Sequence, residues 1–92
     1  MITRINQFEA KENLQEELFG FLQSVISVVE ECHGCISFRL LRSTENPAHF
    51  AIIEEWESVE DHRSAASAIP PEQMARAMVL FAQPPTGTYY EG

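Results

Sequence analysis

The sequence predicts an α+β fold with elements in the order β-α-β-β-α-α-β, giving a four-stranded antiparallel sheet with helices on one face. Three observations predict it. Residues 13–32 repeat apolar side chains at helical spacing. Two runs, Cys35 to Arg42 and His49 to Trp56, alternate their side chains around a short turn. Two proline pairs, Pro70-Pro71 and Pro84-Pro85, then divide the C-terminal third into short pieces.

Thr3 to Glu9 reads as the first strand, with Ile5 and Phe8 among β-favouring neighbours. Asn13 to Cys32 reads as a helix whose stripe is Leu14, Leu18, Phe21, Leu22, Val25, Ile26 and Val29. Gly34 suits a left-handed stop just past it. Gly20 costs about 1 kcal/mol relative to alanine and so marks close packing on the sheet. In the second strand, Ile36, Phe38 and Leu40 share one face, and Ser37, Arg39 and Leu41 the other. Ser43-Thr44-Glu45-Asn46-Pro47 is turn chemistry, so His49 to Trp56 returns as a hairpin partner. Its faces are Phe50, Ile52, Glu54 and Trp56 against Ala51, Ile53 and Glu55. Ser58 caps a short helix whose first turn holds Glu60 and Asp61, where acids suit the dipole. Pro71 opens a last helix with Met74, Ala77, Met78 and Phe81 as its stripe. Thr86 to Tyr90 closes the sheet.

Ninety-two residues suit one domain, spanning 1–92. With 45% apolar residues the chain can build a core, although a small one. The net charge of −8 repels phosphate backbones and anionic membranes, so neither nucleic acid nor a membrane is an expected partner. Arg4, Lys11, Arg39, Arg42, Arg63 and Arg76 are scattered. Leu18 to Val29 is interrupted by Gly20, Gln23, Ser24 and Ser27 and is too short to span a bilayer. Met1-Ile2-Thr3-Arg4 opens no targeting signal, and the expected location is the cytoplasm. The second sheet face presents Ile5, Leu41 and Ile53; a small chain gains by covering it, which predicts a homodimer through that face.

No glycine-rich phosphate loop, Ser-His-Asp motif or paired histidine motif is present, so neither a metal nor a hydrolase is expected. Cys32 and Cys35 form Cys-x-x-Cys at the end of a helix, the wrong pole for a low-pKa redox pair; they read as small buried hydrophobes. Trp56 either closes the core or walls a pocket for an aromatic ligand. Glu54, in phase with Trp56, either pairs with Arg4 or Arg39 or serves as a base with a raised pKa. Asn6 is either a hydrated sheet-surface amide or an inward amide that orients an oxygen. His62, among Glu60, Asp61 and Arg63, reads most simply as part of a solvated face. Tyr89 and Tyr90 read as a strand end.

Three stretches carry a resemblance. They are Gly34-Cys35-Ile36-Ser37-Phe38-Arg39-Leu40-Leu41-Arg42-Ser43, Asn46-Pro47-Ala48-His49-Phe50, and Glu54-Glu55-Trp56-Glu57-Ser58. Together with the long first helix, they resemble the antibiotic biosynthesis monooxygenase family. The resemblance implies a ferredoxin-like subunit, a homodimer in a shared α/β barrel, and a pocket between sheet and helices. It also implies oxidation of anthrones or quinols by molecular oxygen without a cofactor, with Asn6 and Trp56 lining the pocket. Haem-degrading enzymes and an isomerase of a signal molecule share the fold. The sequence departs from the family's pattern at Ala65 and at Pro71, where many members carry histidine. Between Glu72 and Gln83 no histidine is available to ligate haem iron.

The expectation is therefore a cofactor-independent monooxygenase of a small electron-rich quinol, phenol or anthrone. Asn6, Trp56 and Glu54 are its expected catalytic residues, and Arg4, Phe38, His62, Met74 and Phe81 its substrate-binding ones. No metal or cofactor is expected. The alternatives are a non-catalytic dimeric small-molecule binder and an isomerase of a small signal metabolite, the latter resting on His49, His62 and the acids.

Overall fold

The computed structural model describes residues 1–92. Its elements are β1 (Ile2–Glu9), α1 (Gln15–Val29), β2 (Cys35–Arg42), β3 (His49–Trp56), α2 (Val59–Ala66), α3 (Pro71–Met78) and β4 (Thr86–Tyr90). All strand pairs are antiparallel, in the order β2-β3-β1-β4. The element order and the bounds of β2, β3 and β4 are those the alternation and turn chemistry predict.

One sheet face takes all three helices. Phe50, Ile52, Glu54 and Trp56 of β3 are buried, whereas Ala51, Ile53 and Glu55 are only half-buried. Two apolar clusters lie on the covered face. Leu18 and Leu22 of α1, Phe50, Ile52, Ala77 and Phe81 form one; Val29, Trp56 and Ala65 form the other. Burying a Leu or Ile side chain contributes roughly 1.5–3 kcal/mol, which gives α1 its hold on the sheet. The opposite face carries Ile5 and Ile53, which are register partners, and Leu41, which is 38% exposed.

Four local expectations are corrected. First, α1 is shorter than its apolar period. Asn13 takes a left-handed φ of 68°, a conformation asparagine tolerates better than most residues. Beyond Val29 the chain tightens, with the Cys32 N–H donating to the Val29 carbonyl at 3.0 Å. Gly34, at φ 86°, therefore closes the turn into β2 rather than capping α1. Second, Gly20 is exposed, and a Cβ there would meet nothing within 4 Å. Third, a β-bulge between Cys35 and Ser37 turns Ile36 outward and leaves Cys35 against the Trp56 cluster. Fourth, the α3 stripe buries Ala77, while Met74 and Met78 stay 41% and 57% exposed. The Ser58 cap is as expected, its Oγ accepting from the Asp61 N–H at 3.1 Å.

Candidate functional site

Register determines which side chains meet on the helix-covered face. Phe38 pairs with Glu54, Glu54 with Arg4, and Arg4 with Tyr89, so one row crosses all four strands. In the next row Ile52 pairs with Asn6, and Asn6 with Gly87. Gly87 has a reason to be glycine: a Cβ there would overlap the Arg4 guanidinium and Asn6 Oδ1. The short helix α2, started by the Ser58 cap, lowers His62 onto the Glu54 row from above.

The centre of the site is Glu54, 4% exposed. Both carboxylate oxygens are held: Trp56 Nε1 donates to Oε1 at 2.8 Å, and Asn6 Nδ2 donates to Oε2. Asn6 in turn accepts from Arg4 Nε at 2.9 Å. The guanidinium lies 4.6 Å from the Tyr89 ring centroid, within cation–π range. His62 is wedged between aromatic neighbours, edge-on to Trp56 at 5.6 Å and to Tyr89 at 5.3 Å. Its Nδ1 lies 2.6 Å from the Tyr89 hydroxyl and its Nε2 lies 3.7 Å from Glu54 Oε1.

Electrostatics follow from burial. Desolvation pushes the Glu54 carboxyl above its ordinary value, while the Trp56 and Asn6 hydrogen bonds and the Arg4 charge pull the other way. Desolvation, then Arg4 and Arg63, lower the His62 imidazole to about 4, so the ring is neutral at physiological pH. The Cys35 thiol is raised, first by burial and then by Glu54, Cys32 and Glu30. A raised thiol is a poor nucleophile, in keeping with a packing role, although Cys32 and Cys35 are half-buried at the edge of the Trp56 cluster rather than buried as expected. The arrangement thus holds a carboxyl whose proton affinity is raised by its surroundings, a neutral imidazole near one of its oxygens, and one guanidinium. That set can accept a proton and stabilise an oxyanion.

Of the expected residues, Arg4, Asn6, Glu54, Trp56 and His62 come together, and Phe38 lies beside Glu54 in register. Phe81 and Met74 do not join them. Phe81 stacks on Phe8 at 5.9 Å in the other cluster, and Met74 faces solvent on α3. Glu54 does not ion-pair with Arg4 or with exposed Arg39; Asn6 intervenes. His62 is not on a solvated face, its side chain being 16% exposed. Asn6 is bonded within the protein rather than to water alone. Trp56 is 0% exposed, and its indole N–H is spent on Glu54. Tyr89 is the member that sequence reasoning missed; its odd-numbered phase with Gly87 on β4 was the available signal. His49 sits at the far end of β3, roughly 20 Å along the strand from Trp56, and pairs with Glu9 at 3.4 Å. Nothing gathers His49 and His62 for an isomerase.

Two depressions open elsewhere. One of about 680 Å³ is lined by Gln7, Glu9, Leu41, Arg42 and His49 among others, and includes none of the Glu54 group. One of about 360 Å³ is lined by Cys32, His33, Asp61, Ser64 and Ala65. Beside it, ligand atoms of His33, Glu57 and Asp61 come within 4.8 Å of one another, a grouping no local motif could reveal. The N-terminal pole of α2 works against a cation there.

Four antiparallel strands under helices on one face, with a polar row at the centre, define a ferredoxin-like α+β subunit. The chain belongs to the antibiotic biosynthesis monooxygenase family, which residues 1–78 match. Among solved structures, a candidate antibiotic biosynthesis monooxygenase from Nitrosomonas europaea is similar with a TM-score of 0.89 at 18% identity, covering 100% of this chain and 98% of that one. A protein from Mycobacterium tuberculosis gives 0.86 at 18% identity, with 99% and 93% covered. A conserved protein from Methanosarcina mazei gives 0.85 at 17% identity, with 98% and 90% covered. At these identities the likeness is one of fold. No curated protein matches the sequence. No helix is long and apolar enough to cross a membrane.

Proposed function

We propose that the chain is a cofactor-independent monooxygenase that oxidises a small electron-rich aromatic, a quinol, phenol or anthrone, with molecular oxygen. The observation that carries this reading is the Glu54 carboxyl, buried, raised in proton affinity and held through both oxygens by Asn6 and Trp56. Such a group takes the acidic proton of the substrate, and the resulting anion reduces oxygen far more readily than its conjugate acid. For an anthrone the balance closes within the substrate and oxygen: the methylene carbon becomes a carbonyl, and the second oxygen atom leaves as water. Arg4 faces the developing anion, and Asn6 orients the oxygen-bearing edge. Phe38, beside Glu54, offers an aromatic face. The test is oxygen uptake by the purified protein with a panel of quinols and anthrones, with Glu54→Gln and Asn6→Ala as controls. Uptake above the spontaneous rate that collapses in Glu54→Gln is the expected result. Uptake unaltered in both variants would overturn the assignment.

A second reading is a non-catalytic dimer that binds a small apolar molecule. The residues at 65 and 71 favour it, being Ala65 and Pro71 where many members of the family carry histidine. It predicts thermal stabilisation by ligand without turnover.

A further inference from the structure

We propose that His62 and Tyr89 form the route by which the proton taken up by Glu54 leaves for solvent, which makes Tyr89 a working residue of the site. The route rests on the oxygenase reading for its use, but its geometry stands apart from the substrate's identity. Glu54 is nearly sealed, so a proton it accepts must be handed on before the next turnover. Of its two oxygens, Oε2 accepts from the Asn6 amide, which cannot carry a proton onward. Oε1 faces His62 Nε2 at 3.7 Å, and the opposite nitrogen of that ring meets the Tyr89 hydroxyl at 2.6 Å. Tyr89 lies on β4, an edge strand of the sheet, and is only half-buried, so its side chain is partly open to solvent.

The transfer balances without any further reactant. The Glu54 O–H bond breaks as the His62 Nε2–H bond forms. The Nδ1–H bond breaks as that proton passes to the Tyr89 oxygen, whose own proton leaves to water. The ring must therefore rest as the Nδ1–H tautomer, with Nε2 bare towards Glu54. Closing 3.7 Å to a hydrogen bond of about 2.8 Å needs a shift of about 1 Å, which the eight-residue helix α2 has to supply. The ionisable groups facing this path are Glu54 from β3, Arg4 from β1, Tyr89 from β4, Arg63 from α2 itself and, towards Glu54, Cys35 from β2. Burial first, and then the two arginines, hold His62 neutral between transfers, so it passes protons without retaining them.

Tyr89→Phe tests the route, because it removes one hydroxyl and keeps the ring that stacks with Arg4 and His62. Nitrogen-15 NMR of the wild type reads the tautomer directly; Nδ1–H is expected, shifting towards Nε2–H in Tyr89→Phe. In oxygen uptake, Tyr89→Phe is expected to lower kcat about tenfold with KM unchanged, and to recover with a small proton-carrying buffer such as imidazole. A merely structural role would give no such recovery. An active wild type with Tyr89→Phe equal to it overturns the route and leaves the oxygenase reading standing. A wild type inactive on every quinol and anthrone removes that reading instead. The route then stands with an Nδ1–H ring and falls with an Nε2–H ring.

Discussion

Arg4 and Glu54 are register partners on adjacent strands, yet no ion pair within 4 Å joins them. The Asn6 amide stands between, accepting from the guanidinium and donating to the carboxylate. A direct pair would hold Glu54 as a firm anion and cancel Arg4. The amide instead transmits orientation while leaving the carboxyl free to be shifted upward by burial, so one inserted side chain separates a structural ion pair from a titratable site.

Removing that amide gives the first prediction. Asn6→Ala leaves one buried oxygen of Glu54 without its donor, at a cost of about 1–3 kcal/mol in urea unfolding. The lost hydrogen bond favoured the charged carboxylate, so the Glu54 pKa moves higher still, readable by carbon-13 NMR of the side-chain carboxyl. A lower pKa in the variant would show that Arg4 has closed directly onto Glu54.

Stability should carry two opposed pH signatures. The folded pKa of His62 is depressed to about 4, so its contribution is present above the ordinary 6.5 and is lost as pH falls towards 4. The folded pKa of Glu54 is raised, so its contribution is present below the ordinary 4.5 and is lost as pH rises past it. Other carboxyls titrate in the same window, and the useful quantity is the difference from the wild type. Against His62→Gln, the wild type should lose relative stability on acidification below 6.5. Against Glu54→Gln, it should lose relative stability on going above 4.5. The same sign in both comparisons would contradict the burial argument.

Two glycines make opposite predictions. Gly87→Ala pushes a methyl into Arg4 and Asn6, so it should cost about 1–3 kcal/mol as overpacking does and displace the guanidinium from Tyr89. Gly20→Ala meets nothing and removes helix-interior glycine, so it should stabilise by about 0.5–1 kcal/mol. Thermal melts of the two variants should therefore move in opposite directions from the wild type.

Much of this was legible in the sequence where a period or a turn fixes geometry. The alternation of β2 and β3 around Asn46-Pro47 gave their bounds, and the phase of β3 put Glu54 and Trp56 on one inward face. Period alone overran α1, because apolar spacing continues to Cys32 whereas the backbone turns after Val29. His62 misled because its flanking charges describe α2 in isolation, while its burial comes from Trp56 and from Tyr89, 27 residues away. Phe81 and Met74 have the right chemistry for a pocket. Which end of the sheet α3 covers is a tertiary outcome, and it places Phe81 beside Phe8. The bulge at Ile36 likewise leaves no mark on an alternating run.

The outward face yields the last prediction. Ile5 and Ile53 sit opposite one another there, beside Leu41, with Ile36 turned outward by the bulge and Tyr90 half exposed near the sheet edge. The helices all lie on the other side, so the chain itself leaves these apolar side chains partly open to solvent, and apolar side chains gathered on one face favour a partner. A second copy related by a two-fold axis would cover both faces at once. Light scattering at micromolar concentration is expected to give the mass of a dimer. Ile53→Glu, which puts a charge at the middle of the face, is expected to give the mass of a monomer and a lower melting temperature that no longer depends on protein concentration. A wild type that stays monomeric would rule out the homodimer. It would leave the Glu54 row untouched, because every residue in that row lies on the helix-covered side of the sheet.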